Sequence, residues 1–120
     1  MTKKILICIS LISATFLSGA ALGEDAVKAD PQHYTVEFEN DRVRIIRIIY
    51  GPGEKSVMHT HGPHVAITLT ENATRMTLPD GTSEEATTEI GVANWDDGGE
   101  HLPENLSDET LEVVLIELKE

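Results

Sequence analysis

Cysteine is almost absent from this 120-residue chain: the single residue, Cys8, lies in an apolar run near the N-terminus. Everything after it is without disulfides and thiol chemistry. Basic residues are also scarce, with 9 Lys+Arg against 21 Asp+Glu and a net charge of -12. So acidic a surface repels nucleic acid and anionic lipid, which excludes nucleic-acid partners and points to a soluble protein with small-molecule ligands. There is no Gly-x-Ser-x-Gly, no phosphate-binding glycine loop and no dinucleotide fingerprint, so the common hydrolase and nucleotide sites have no anchor here. Past the first two dozen residues no stretch of ten or more shows a helical period.

What is present begins with an order of residues typical of export. Lys3 and Lys4 are followed by the apolar run from Ile5 to Phe16, then by the small residues Ser18, Gly19, Ala20, Ala21 and Gly23. Basic, apolar and small segments in that order make a cleavable signal peptide over 1–23. The run falls short of the roughly 20 apolar residues of a membrane span. A retained anchor is the competing reading. Cleavage after Gly23 satisfies the small-x-small rule, and cleavage after Ala21 does nearly as well. The expected location is outside the cytoplasm, periplasmic or secreted, in a bacterial cell, with no membrane association once the signal is removed. Without Lys3 and Lys4 the count becomes 7 basic against 21 acidic residues, a net charge of about -14.

Residues 24–32 are polar and end at Asp30-Pro31, which predicts a flexible leader. Residues 33–120 carry the pattern of one domain of short strands. Tyr34, Val36 and Phe38 alternate with polar residues, the period of a half-buried strand. Arg42 to Tyr50 is rich in β-branched residues. Further short runs cover Ser56 to His61, His64 to Thr70, Thr74 to Leu78, Glu84 to Thr88, Gly91 to Trp95 and Leu111 to Leu118. Gly62-Pro63, Pro79-Asp80-Gly81 and Asp97-Gly98-Gly99 interrupt them, and Pro79-Asp80-Gly81 reads as a hairpin turn. The expected fold is all-β, a sandwich or barrel.

The chemistry concentrates in histidine. His59, His61 and His64 fall within six residues, and His101 stands apart. Positions i and i+2 of a strand face the same way, roughly 7 Å apart, so His59 and His61 can converge on one ion. Gly62-Pro63 then turns the chain and returns His64 beside them. Imidazole nitrogen suits Zn, Cu, Fe, Ni and Co. The bland alternative is a histidine cluster that holds no ion. His33 adjoins the leader and is expected to be exposed.

Gly53, five residues, then His59-Thr60-His61 resembles the first motif of the cupins; Gly91, five residues, Asp97, His101 and Asn105 resembles the second. The resemblance covers about residues 33 to 120. It implies a double-stranded β-helix (jelly-roll) barrel, with His59, His61 and His101 as metal ligands. The pattern departs in three places. Cupins carry a glutamate as a further ligand, and here His64 falls at that position. Asp97 stands where the second motif usually has proline, and one residue is missing before His101. A set of four neutral imidazoles would leave the full +2 on the ion and attract an anionic ligand. It would also shift preference from Mn toward Fe, Ni, Cu or Zn.

The weaker candidates have bland readings. Glu100 and Glu104 could orient imidazoles, but each reads first as an exposed acid. Trp95 is expected in the core, Met58 on the face opposite His59, and Arg44, Arg47 and Arg75 facing solvent. Asn72-Ala73-Thr74 and Asn105-Leu106-Ser107 match a glycosylation sequon that is short and common. Three functions follow: a metalloenzyme of dioxygenase or isomerase type on a small, anionic, oxygen-rich molecule; a non-catalytic metal-binding or sensing module of the cell envelope; or an interaction barrel without metal. A homodimer through a barrel edge fits the exposed edges of an open sheet.

Overall fold

The computed structural model describes residues 23–119; the export segment expected over residues 1–23 lies, but for Gly23, outside the described residues. Among the described residues nine strands follow one short helical turn, α1 (Ala26–Ala29). They are β1 (Tyr34–Glu39), β2 (Val43–Tyr50), β3 (His59–His61), β4 (His64–Thr68), β5 (Ala73–Thr77), β6 (Ser83–Thr87), β7 (Ala93–Asp96), β8 (Gly99–Asn105) and β9 (Leu111–Leu118). One sheet runs β1-β2-β9-β4-β7 and the other β3-β8-β5-β6. All pairs within them are antiparallel.

Period-two alternation decides which side chains enter the interior. On β2, Ile46, Ile48 and Tyr50 are buried while Ile49 is exposed. On β9, Leu111, Leu115 and Glu117 are buried. The two strands pair from Val43↔Leu118 to Tyr50↔Leu111, which sets Arg44 directly opposite Glu117. Arg44 shares the inward parity of Ile46, and Glu117 that of Leu115, so this charged pair comes from the core faces of both strands. The core also contains Tyr34 and Ala26, with Val27, Ala66 and Val113 packed against it.

Several expectations need correction. The flexible leader over 24–32 is instead docked: Ala26 is fully buried, Asp30 nearly so, and Thr60 N–H donates to Glu24 O at 2.9 Å. His33, expected exposed, is buried because two carboxylates reach it from opposite sides, Asp30 at 2.7 Å and Glu54 at 2.8 Å. Trp95, expected in the core, is 55 % exposed, since it sits on the edge strand β7. In β1 only Tyr34 is buried; the register shifts between Val36 and Phe38, and both are exposed. Arg44 is turned inward, whereas Arg47 and Arg75 make surface ion pairs with Glu37 and Glu85, as expected of outward side chains. Strand β8 had no counterpart in the sequence pattern, because its glycine start, its acids and Pro103 all read as loop.

The Pro79-Asp80-Gly81 turn joins β5 to β6 as expected. Gly81 adopts φ +86°, and Asp80 Oδ1 accepts from Thr82 N–H at 2.9 Å.

Candidate metal centre

Strands β3 and β8 create the centre by register. His59 pairs directly with His101 across the ladder, and His61 follows His59 on the same face. His59 is fully buried and His61 nearly so, and ring centroids of the three histidines lie 4.7, 4.8 and 5.0 Å apart. The turn between β3 and β4 is held from the other side by Gly98. At φ +91° it lies so close to the backbone of His61 and Gly62 that a Cβ there would stand 2.4 Å from His61 O. Only glycine permits that approach.

The far nitrogens of the rings are anchored. His59 Nδ1 lies 2.7 Å from Val57 O, His64 Nδ1 lies 2.8 Å from Gly62 O, and His61 Nδ1 lies 2.9 Å from Glu117 Oε1. A carbonyl oxygen can only accept, so Nδ1 carries the proton in His59 and His64. Hydrogen bonds from His61 and Arg44 hold the Glu117 carboxyl below the ordinary glutamate value, although burial alone would raise it. Ionised Glu117 therefore also fixes the proton of His61 on Nδ1. In the neutral form of each ring this leaves the lone pair on Nε2.

Those lone pairs face one another. His59 Nε2 is 3.0 Å from His61 Nε2 and 3.1 Å from His101 Nε2. Two neutral rings would bring lone pairs together at that distance, an arrangement that a cation between them relieves. Nitrogens bound at right angles at roughly 2.1 Å from one ion stand about 3 Å apart, which matches the spacing. The donor set thus fits a divalent transition metal; His59, His61 and His101 form a group whose donor atoms all lie within 4.8 Å of one another. Burial, and then the neighbouring rings, lower the pKa of His59 to about 4 and of His101 to about 3. Both are neutral, as a ligand must be, at ordinary pH.

His64 stands outside this trio. Its ring is buried, with its centroid 5.3 Å from that of His61. It is directly opposite Glu117 in the β4–β9 ladder. Glu100 turns away and accepts from Gly23 N–H, and Glu104 pairs with Arg75, so neither orients an imidazole. Asn105, the end of the second motif, is fully buried and structural. Its Nδ2 donates to Gly51 O at 3.0 Å and Glu109 O at 2.7 Å, clamping two loops.

Sequence reasoning missed Tyr34, Tyr50, Glu117 and Asp25 around the centre and turned Arg44 to solvent. Tyr34 Oη lies 3.1 Å from His59 Nε2 and also hydrogen-bonds Tyr50 Oη. Burial raises the Tyr34 hydroxyl well above its usual range, so it remains a donor. Glu117 orients His61; Arg44 grips Glu117 Oε2 at 2.7 Å and pairs also with Asp25. The parity of Arg44 and Glu117 within their strands was a signal, but it becomes visible only once the register is known.

No protein-family model and no curated protein matches the sequence. Solved structures do. A cupin domain from Bordetella pertussis Tohama I is similar at 29 % identity and TM-score 0.68, covering 72 % of this chain and 92 % of that one. The chain belongs to the cupin superfamily. An RmlC-like cupin with a double-stranded β-helix fold from Methanocaldococcus jannaschii is similar at 18 % identity and TM-score 0.55, covering 75 % of this chain and 84 % of that one. The polyketide cyclase RemF from Streptomyces resistomycificus is similar at 20 % identity and TM-score 0.54, covering 72 % and 64 %. Both share the fold. Cupins commonly bind transition metals, and this cupin has a histidine cluster that could hold one.

Proposed function

We propose that this cupin is an exported metalloenzyme of dioxygenase or isomerase type, whose divalent transition metal (Fe, Ni, Cu, Zn, Co or Mn) is held by His59, His61 and His101. The observation that carries the reading is the convergence of three Nε2 atoms while the Nδ1 atoms of His59 and His61 are tied to Val57 O and Glu117. Three protein ligands leave coordination positions for a substrate, the arrangement of catalytic sites and not of closed structural ones. A bound metal would supply Lewis-acid polarisation of a ligand oxygen or a binding place for dioxygen.

The protein's own residues shape what happens there. Glu117, held by Arg44, keeps the proton of His61 on Nδ1 and so keeps its Nε2 basic. Tyr34 Oη is a hydrogen-bond donor within reach of a group bound beside His59. His64 is buried beside His61, next to the trio; removing it should lower metal affinity while the stoichiometry is retained. Neutral ligands leave the charge of the ion to a small anion. Export is supported by the basic, apolar and small residues of 1–23. Homodimerisation is supported by Val36 and Phe38, exposed on the edge strand β1.

The test is elemental mass spectrometry of protein purified through a histidine-free tag without chelators, beside His59→Ala/His101→Ala. Near-stoichiometric metal in the first and none in the second is expected. Absence of metal from both, even after anaerobic addition of Fe(II) or Zn(II), would remove the reading.

A further inference from the structure

The histidine cluster forms part of the wall of a cavity of about 370 Å³ lying between the two sheets. The volume is in the range of small-ligand pockets. Its wall is mostly hydrocarbon: Ile48, Ala66, Met76, Leu111, Val113 and Leu115 come from both sheets. The threonines in the wall do not change that character. Thr68 Oγ1 donates to Glu89 O, Thr74 Oγ1 to Ala86 O at 3.1 Å and Thr88 Oγ1 to Thr70 O at 2.7 Å. Their hydroxyl protons are engaged with the backbone and are not free for a sugar-like ligand.

Charge narrows the ligand further. Among the described residues no lysine or arginine lines the cavity; the acidic residues of its wall are Asp96, Glu100 and Glu104, of which Glu100 accepts from Gly23 N–H and Glu104 pairs with Arg75. Arg44 and Arg75 are bound to carboxylates. A phosphorylated or polyanionic ligand would find no counter-charge apart from the ion. The polar side chains of the wall gather chiefly as His61, His64, His101, Tyr34 and Tyr50, with Asn94 and Asp96 on β7.

From this we infer that the ligand is a small monoanion with a single oxygen head directed to the metal and an uncharged apolar body, such as a short aliphatic or aromatic carboxylate, and not an oxygen-rich or phosphorylated molecule. The inference rests on the metal reading for the head, and on the wall alone for the body. Trp95 provides a reporter: it is the one tryptophan, it lines the cavity, and it is 55 % exposed, which places it at the rim.

The probes are n-alkanoates from acetate to decanoate, titrated into Zn(II)-loaded protein and followed by calorimetry and Trp95 fluorescence. Burial of each further methylene should tighten binding about fourfold until the cavity is full. Glucose 6-phosphate should bind no better than acetate. Ala66→Leu should move the plateau to shorter chains and Met76→Ala to longer ones. A flat series, tighter binding of glucose 6-phosphate than of hexanoate, or a plateau that neither variant moves would overturn the inference. Elemental analysis of the same samples separates the two readings. Metal-loaded protein with a flat series loses this inference alone; protein that holds no metal yet keeps the slope loses the metal and retains the apolar body.

Discussion

At the scale of single residues, the centre is governed by what stands behind the ligands. His61 donates to Glu117, Glu117 accepts from Arg44, and Arg44 is paired with Asp25. Removal of such an orienting partner typically weakens metal affinity 10- to 100-fold. Glu117→Gln keeps the shape and loses the charge, so it should weaken affinity by roughly tenfold in a chelator competition. Unchanged affinity would show that Glu117 orients nothing. His33 allows a test by pH. Burial would lower its pKa, but hydrogen bonds to Glu54 and Asp30 outweigh this and raise it. A raised pKa in the folded state means that protonated His33 adds stability fully below its unfolded value near 6.5, and that this contribution fades as pH rises through the folded value. The melting temperature lost in His33→Gln should therefore be greatest near pH 5.5 and smaller at pH 9. An equal loss at both would mean that the ring acts by packing and not by charge.

At the scale of elements, residues 24–32 behave as part of the barrel. Asp25 forms a parallel bridge beside Thr60 of β3, Thr60 N–H donates to Glu24 O, Ala26 enters the core, and Asp30 accepts from Ser56 Oγ at 2.6 Å. A chain starting at His33 would leave Arg44 short of one carboxylate and would take Asp30 from both His33 and Ser56. The expected loss against a chain starting at Glu24 is roughly 2–4 kcal/mol in urea denaturation, with weaker metal binding through Arg44 and Glu117. Equal stability of the two chains would reinstate a dispensable leader. Composition alone had suggested one, since polar residues ending in Asp-Pro mark loops. What it could not show is that these polar side chains have partners across the sheet.

At the scale of the whole molecule, metal and fold should be coupled, because the ligands come from β3 and β8 and the unfolded chain does not bring them together. With free metal 100-fold above its dissociation constant the linkage is about 2.7 kcal/mol. For a domain of this size that is roughly 10–20 °C in melting temperature, which calorimetry before and after chelation would read. The same chelation should leave His59→Ala/His101→Ala unmoved, and an equal shift in both would place the ion elsewhere. Much of this molecule was determined by sequence alone. Period-two runs broken by Gly, Pro and Asp dictate short antiparallel strands, and His59-Thr60-His61 sets two imidazoles on one face, because alternation and turn chemistry are local. Only the tertiary structure decided the rest. His101 meets His59 through the β3–β8 register, and His64 stands beside the trio instead of within it. Arg44 and Glu117 turn inward as partners, and Tyr34 reaches His59 from the other sheet. Such contacts depend on how distant strands align, and a one-residue slip would reverse every one of them.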